Sequence, residues 1–568
     1  MTTPDVTTSF ATTLVDEWVR DGVTHAVVSP GSRNTPLALA LVRDERIHVE
    51  IVLDERSAGF RALGMGLAAG RPAIVCCTSG TAAVNLHPAV VEAHHARVPL
   101  IVCTADRPPE LHDVGAGQTI DQQHLYGRAV RWFHDPGSPE LTADVDARWR
   151  TIAARAFASA IGGPAGPVHV NLPFREPLVP TGGPLVAAPG RADGAPWIPV
   201  ARARREPGLT ELDRVADLVR ARPRGMLVAG WGAGVHPDAA ARLATATGWP
   251  VLADPLSGLR TGEHSVSTYE ALLRADAFAR AHPPELIVRI GAPLTSKVAG
   301  AWLDTAGVPT VLLDPDDVWL DPQRAATERI VADPDATLNA LVDVLGDKGP
   351  QDAAWTRAWH TADRVARAAL DTVLDDDIAC EARIVRDVAR AAPRDGALCV
   401  ASSLPVRALE WAMQPRRDLA IFANRGANGI DGFVSTALGI ARTRGGSTIA
   451  CCGDLCFLHD TNGLLGAADA PPVTYVVVDN DGGAIFSYLP QHALPEFEQL
   501  FATPQRVDLV AVARAHGIAA ERVASVADLT DPLRSESVTT RVLVVDAPRD
   551  RAADQHRRCW EAVATAIG

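Results

Sequence analysis

The sequence predicts an α/β protein of three domains, each a mainly parallel sheet flanked by helices. Three observations point there. Short apolar runs of strand length alternate with helical stretches through the first third of the chain. Breaks at 173–207, rich in proline and glycine, and at 346–351 interrupt that alternation. A length of 568 residues is too great for one ordinary domain. The expected domains are 1–185, 186–349 and 350–568.

In the first part, residues 24–28, 73–77 and 100–104 are short apolar runs and read as buried strands. Residues 55–69 and 80–96 carry small residues on one face and read as helices. The stretch 173–207 loses all periodicity and reads as a linker. A second α/β part follows over 209–345. Its Val228-Ala229-Gly230-Trp231-Gly232-Ala233-Gly234 resembles a dinucleotide turn, with Asp254 at a plausible distance. The register lacks its third glycine, since Val235 or Pro237 stands there, so it reads as a tight turn after a strand. In the third part, 448–452 and 473–478 read as strands.

Hydrophobic residues make up 47% and charged residues 21%, the balance of a globular protein in water. A net charge of −14 gives no global field toward nucleic acid or an anionic membrane. Only two lysines occur, Lys297 and Lys348, among 54 cationic residues. The nine cysteines show no disulfide-like spacing and no CxxC pair. No leader-like segment or spanning apolar run is seen, so a reduced, cytoplasmic setting is expected.

The chemistry concentrates at two distant places. Gly453-Asp454-Leu455 follows one strand-like run, and Asp479-Asn480-Asp481-Gly482-Gly483 follows the next. Two adjacent parallel strands would bring both loops to one sheet edge, where open α/β sheets bind ligands. Asp and Asn oxygens suit Mg²⁺ or Ca²⁺ rather than zinc, and Mg²⁺ with few protein ligands usually bridges to phosphate. The pair reads as a diphosphate anchor. Some four hundred residues earlier stands Glu55, at the head of a helix.

The Gly-Asp…Asn pattern, with Glu55, resembles the thiamine diphosphate (ThDP) enzymes that include acetohydroxyacid synthases and 2-oxo acid decarboxylases. Finer motifs resemble the 2-succinyl-5-enolpyruvyl-6-hydroxy-3-cyclohexene-1-carboxylate (SEPHCHC) synthases of menaquinone (vitamin K2) biosynthesis. These are Ser29-Pro30-Gly31-Ser32-Arg33-Asn34-Thr35-Pro36, Thr104-Ala105-Asp106-Arg107-Pro108, Gly117-Gln118-Thr119-Ile120, Asn424-Arg425-Gly426-Ala427-Asn428-Gly429-Ile430-Asp431-Gly432 and Gly483-Ala484-Ile485-Phe486-Ser487. They run in order through most of the chain.

The resemblance implies the ThDP-enzyme fold: a pyrimidine-binding domain carrying Glu55, a central structural domain, and a diphosphate- and metal-binding domain equivalent to the first. It implies ThDP with Mg²⁺, or Mn²⁺, held by Asp454, Asn480 and the Gly482 carbonyl. Glu55 would activate the cofactor through its aminopyrimidine ring. Ser403, Ile430, Gly453, Leu455 and Ile485 would complete the cofactor site, with Ile430 the bulky residue under which the cofactor bends. Ser32, Arg33, Arg107, Gln118, Lys297, Arg407, Arg425, Ile485 and Phe486 would meet substrate. Leu455 replaces the pattern's usual glycine, and Asp479 its usual asparagine, which adds a negative charge near the metal.

The implied reaction is a transferase step. 2-Oxoglutarate is decarboxylated, and the four-carbon acyl-anion equivalent adds in a 1,4 sense to isochorismate. Both substrates are dicarboxylates, which suits several arginines. A homodimer or homotetramer with sites between subunits is implied, with no nucleic-acid or membrane partner. The alternatives are another ThDP enzyme, such as an acetohydroxyacid synthase or a 2-oxo acid decarboxylase, and a catalytically silent binding protein of the same fold.

Overall fold

The computed structural model describes all residues except 1–2, 181–184, 263, 347–348, 350–351, 377–378 and 536, and the side chains of 3–5 are likewise outside the description. Lys348 and most of the expected break at 346–351 therefore lie outside the described residues. The chain forms three six-stranded sheets, and every strand pairing within them is parallel.

The first sheet holds β1 (His25–Val28), β2 (His48–Ile51), β3 (Ala73–Cys77), β4 (Leu100–Asp106), β5 (Trp132–His134) and β6 (Pro167–Pro173), in the order β2-β1-β3-β4-β6-β5. The second holds β7 (Gly225–Ala229), β8 (Val251–Ala253), β9 (Ser265–Val266), β10 (Leu286–Ile290), β11 (Thr310–Leu313) and β12 (Glu328–Ile330), in the order β12-β11-β10-β7-β8-β9. The third holds β13 (Gly396–Val400), β14 (Leu419–Phe422), β15 (Thr448–Gly453), β16 (Val473–Asp479), β17 (Ala519–Val523) and β18 (Arg541–Asp546), in the order β14-β13-β15-β16-β18-β17. The first and third sheets thus share one strand order, and the middle sheet has another. β3, β4 and β13 are buried along their whole length, as parallel strands covered on both faces must be.

The helix Glu55–Ala69 packs lengthwise on the helix Phe433–Arg444 and joins the first and third domains. Glycines let the two backbones touch. A Cβ on Gly64 would stand 2.1 Å from the Thr436 carbonyl, and one on Gly439 2.0 Å from the Arg61 carbonyl. Arg61, fully buried, donates to Glu50 and to the Gly463 carbonyl across the same seam.

Two expectations need correction. The helix expected over 80–96 is two helices, Thr81–Asn85 and His87–Ala96. Pro88 near the head of the second cannot donate to the turn before it, so the ladder restarts there. The stretch 173–207 does not hang free. It forms no helix or strand beyond β6 among its described residues, but it is tied to the first domain. Ala188 N donates to Thr13, Arg150 donates to the Ala188 and Pro189 carbonyls, and Trp197 N donates to Glu17. In the middle domain, a Cβ on Gly230 would lie 1.6 Å from the Ala292 carbonyl. The Arg97 guanidinium lies 5.4 Å over the Trp231 ring. The glycine turn is thus packed against the chain's own atoms.

The helix Ala353–Leu374 begins just after the expected boundary at 349/350 and packs on both sides of it. Trp355 and Trp359 belong to the core that contains Met226, Val228 and Tyr269 of the middle domain and Leu398 and Val476 of the third sheet. The nine cysteines are buried free thiols.

Candidate functional site

β15 and β16 are adjacent and in register, with Gly453 beside Val478. That register puts Asp454 and Asn480 at one sheet edge. Asp454 starts the short helix Asp454–His459 and accepts from Leu455 N at 2.8 Å and Gly482 N at 2.7 Å. Asn480 turns its Nδ2 toward Glu381 Oε2, 3.4 Å away. Its Oδ1 then lies 3.3 Å from Asp454 Oδ1 and 2.5 Å from the Gly482 carbonyl. Asp454 Oδ1 accepts from Leu455 N and the Gly482 carbonyl from Ala484 N, so Asn480 Oδ1 alone lacks a donor, and either a cation among the three oxygens or a turned Asn480 amide relieves the crowding. This donor set, a carboxylate, an amide oxygen and a carbonyl, is that of a hard divalent ion, and the residues fit the expected metal.

The loop is shaped for close approach. Gly482 has φ 113°, and a Cβ there would lie 2.0 Å from the Ala502 carbonyl, so only glycine fits. Leu455 needs no left-handed backbone and sits half-buried in the helix's first turn, which explains how a leucine replaces glycine. Asp479 is drawn away from the site. Its Oδ2 accepts from Arg522 at 3.0 Å, and Arg522 also pairs with Asp546. Burial pushes the Asp454 carboxyl up to about 6, its two backbone donors oppose that, and Asp479 and Asp481 add to it.

Sequence reasoning missed Glu381. It heads the helix Glu381–Ala391, is 3% exposed, and its Oε1 has no hydrogen-bond partner among the described residues. Burial, then the charge of Asp454, pushes its carboxyl up to about 8.

Ile430 lies on the loop between β14 and the helix Phe433–Arg444, 37% exposed, and its carbonyl accepts from Cys456 Sγ at 3.4 Å. Buried Glu92, also missed, holds that loop from the first domain: its carboxyl accepts from Gly426 N at 2.7 Å and Ala427 N at 2.6 Å. Ile485 and Phe486 follow the metal loop on a 3₁₀ turn, both half-buried, with Phe486 against Phe501.

The arginines fall into two pairs. Arg33, 6% exposed, donates to the Phe174 carbonyl at 2.9 Å and to Glu176 at 3.2 Å, and its Nε has no partner among the described residues. Arg107 donates to Ser79 Oγ at 2.7 Å. Ser79 Oγ donates to the Gln118 carbonyl at 3.0 Å, and Gln118 Nε2 donates to the Ser79 carbonyl at 3.0 Å. Ser79 thus organises Arg107 and Gln118, and exposed Ser32 stands beside Arg33. Arg33 is pushed down by burial and then by the charge of Arg107, so two cations are held close.

The second pair is Arg407 and Arg425. Arg407 donates to the carbonyls of Ser402 and Ser403, with Ser403 at the head of the helix Leu404–Ala412. Arg425 donates to Thr295 Oγ1 at 3.3 Å. Thr295 lies two residues before exposed Lys297, the first residue of the helix Lys297–Thr305. Arg407 is pushed down by burial and then by the charge of Arg425. No hydrogen bond or ion pair among the described residues joins the first pair to the second.

Glu55 heads its helix with Asp54 as N-cap, which accepts from Arg56 N and Ser57 N. Asp54, Arg56 and Ser57 hydrogen-bond to Asn462, His459 and Asp460. Glu55 itself makes no hydrogen bond to Asp454, Asn480 or Gly482. It is half-exposed, between Ile51 and Leu53, which are 60% and 68% exposed, and the buried start of its helix.

Three family models match the chain in order. They are the thiamine pyrophosphate enzyme N-terminal TPP binding domain over 8–125, the middle domain of thiamine pyrophosphate enzymes over 192–400, and the C-terminal TPP binding domain over 408–547. The X-ray structure of an enzyme from Mycobacterium smegmatis, assigned as thiamin diphosphate-dependent, matches with a TM-score of 0.70 at 21% identity. It covers 95% of this chain and 99% of that one, and shows a shared fold. A SEPHCHC synthase of Thermobifida fusca is 45% identical, with 99% of each chain covered. That of Haloarcula marismortui is 40% identical over 98% of this chain and 97% of its own. That of Chloroflexus aurantiacus is 40% identical over 99% and 97%. The chain therefore belongs to the 2-succinyl-5-enolpyruvyl-6-hydroxy-3-cyclohexene-1-carboxylate synthase family of thiamine diphosphate enzymes.

Proposed function

We propose that the chain decarboxylates 2-oxoglutarate and joins the remaining four carbons to isochorismate, releasing CO₂ and SEPHCHC for menaquinone biosynthesis in the cytoplasm. The observation that carries the reading is the convergence of oxygens from Asp454, Asn480 and Gly482 at one sheet edge, in a chain whose relatives bear that enzyme's name. These residues would hold Mg²⁺ or Mn²⁺ and, through it, the diphosphate. Gly453, Leu455, Ser403, Ile430 and Ile485 would line the cofactor, and the units would be bounded at 1–185, 186–349 and 350–568.

Bound ThDP supplies a carbon nucleophile that accepts and stabilises the charge left by decarboxylation. The Glu55 carboxyl would hydrogen-bond the ring nitrogen of the aminopyrimidine and thereby favour the tautomer that activates the cofactor. Arg33 and Arg107, with Ser32 and Gln118, bind carboxylates on one side. Arg407, Arg425 and Lys297 bind them on the other, and Ile485 and Phe486 exclude water. Holding both anions together turns an encounter into a near-intramolecular step.

The sites lie between subunits of a homodimer or a tetramer built from it. Exposed Ile51 and Leu53, close in sequence to half-exposed Glu55, support this. The test is CO₂ release from 2-oxoglutarate with ThDP and Mg²⁺, with and without isochorismate, and with pyruvate as competitor. Isochorismate-dependent release selective for 2-oxoglutarate is expected. Equal or better turnover of pyruvate would move the chain to the acetohydroxyacid synthase class, and no turnover of either to a silent binding protein.

A further inference from the structure

We propose that Glu92 is a positioning residue for Arg425: its carboxyl seats the loop 424–432 on the first domain and so sets where the Arg425 guanidinium meets a substrate carboxylate. The proposal rests on the reading of Arg425 as a substrate-binding residue.

The loop joins β14 to the helix Phe433–Arg444 in the third domain, and Arg425 stands near its start. Glu92 belongs to the helix His87–Ala96 of the first domain and is buried. One of its oxygens accepts from Gly426 N at 2.7 Å and the other from Ala427 N at 2.6 Å. Both donors are backbone amides, which can only donate. They belong to the two residues directly after Arg425. A second observation does not involve the carboxyl. A Cβ on Gly426 would lie 2.5 Å from the Glu92 carbonyl and 2.6 Å from Ala96 N. The loop therefore lies directly on the helix backbone, an approach that glycine allows. On its other side, Arg425 donates to Thr295 Oγ1 of the middle domain at 3.3 Å. The start of the loop is tied to its own domain: Ser402 Oγ donates to the Asn424 carbonyl, and Asn424 Nδ2 donates to Thr436 Oγ1 at 3.2 Å. Arg425 thus belongs to the third domain, reaches the middle domain with its side chain, and is seated on the first by the peptides that follow it. A carboxylate can accept at both oxygens. Without it, two backbone donors lose their acceptor and the loop relaxes toward water. A shift of about 1 Å in a group that orients substrate can cost as much as about 100-fold in rate. Glu92 acts through Arg425.

The test is steady-state kinetics of the full-length enzyme with ThDP and Mg²⁺, each substrate varied in turn. Four variants are compared with the parent: Glu92→Gln, Gly426→Ala, Arg425→Ala and the double variant Glu92→Gln/Arg425→Ala. Glutamine keeps the volume and one acceptor but sets an amide N–H against the second backbone donor. Glu92→Gln should lower kcat/KM about tenfold, through KM, for the same substrate that Arg425→Ala affects, and leave the other within about threefold. The double variant should be no more than about threefold worse than Arg425→Ala, because no guanidinium remains to be misplaced. Gly426→Ala, which lifts the loop from the helix by another route, should raise KM for that same substrate. Parent-like KM for both substrates in Glu92→Gln, alongside the loss in Arg425→Ala, overturns the proposal and leaves the reading of Arg425 intact. Equal rises for both substrates, or losses that multiply in the double variant, also overturn it, because the role is then general packing. Parent-like kinetics in Arg425→Ala overturn the reading of Arg425 itself, and the proposal with it. If Glu92→Gln does not fold, Gly426→Ala decides alone: a rise in KM confined to the substrate of Arg425 upholds the proposal, and any other result overturns it.

Discussion

The first and third sheets have the same strand order, yet their corresponding edges carry opposite chemistry. After β1 come Ser32 and Arg33; after β13 comes Ser403. After β3 comes Ser79, which holds Gln118; after β15 comes Asp454. After β4 comes Arg107; after β16 comes Asn480. One topology thus carries arginines at one edge and acidic and amide oxygens at the other. Function here lives in the loops, not the sheets. The two edges also differ in completeness. The third-domain edge closes its metal loop within one chain, whereas Glu55 on the first-domain edge stands half-exposed.

The largest effect separates the edges outright. Asp454→Ala should abolish both Mn²⁺ binding and turnover. Glu55→Gln should keep Mn²⁺ and ThDP binding while lowering kcat by about 10²- to 10⁴-fold. Titration of metal and cofactor, followed by turnover at saturation, checks this. Loss of metal binding in Glu55→Gln would break the division of labour.

Next in size, Arg107→Ala and Arg425→Ala should each weaken substrate binding by about 1.5–3 kcal/mol, roughly 10- to 100-fold in kcat/KM. Steady-state kinetics with each substrate varied in turn shows which pair serves which. If both variants shift the same substrate alone, the two-sided arrangement fails.

The third prediction concerns pH and the metal edge. The metal needs Asp454 ionised, and its metal-free carboxyl is raised to about 6. Divalent-ion affinity should therefore be full well above pH 6 and fall about tenfold per unit below it. The sign for stability is the reverse: a carboxyl raised on folding costs the metal-free protein stability as pH rises above the unfolded value, and the cation offsets that cost. Mn²⁺ titrations between pH 5 and 8 check it; a flat profile would contradict it.

The smallest effect is at Arg522, which neutralises Asp479 in a pair that is partly exposed. Arg522→Ala should change metal affinity by less than about 1 kcal/mol. A larger change would mean that Asp479 reaches the ion after all.

The juxtaposition of Asp454 and Asn480 was legible in the sequence because each lies at the end of its own strand, so the parallel register alone brings them together. The partners that position them were not legible. Glu92 reads as an ordinary helix charge until the 424–432 loop folds back onto it from the third domain. Glu381 and Ser79 likewise act on groups far along the chain. The signal available for Glu381 was a carboxyl at a helix head within an otherwise apolar surround, which alone indicates only a favourable dipole. The single helix expected over 80–96 failed because small-residue periodicity continues across Leu86, while Pro88 restarts the ladder. The direction of Asp479 depended on Arg522, which lies on β17.

The central claim is that each site joins the Glu55 edge of one subunit to the metal edge of another. Mixing Glu55→Gln and Asp454→Ala chains under conditions of subunit exchange tests it directly. With sites between subunits, half of a random mixture is mixed dimer, and each has one fully intact site, so about a quarter of the parent activity should return. Mixtures that stay as inactive as either variant alone, despite demonstrated exchange, would place both edges of each site within one chain.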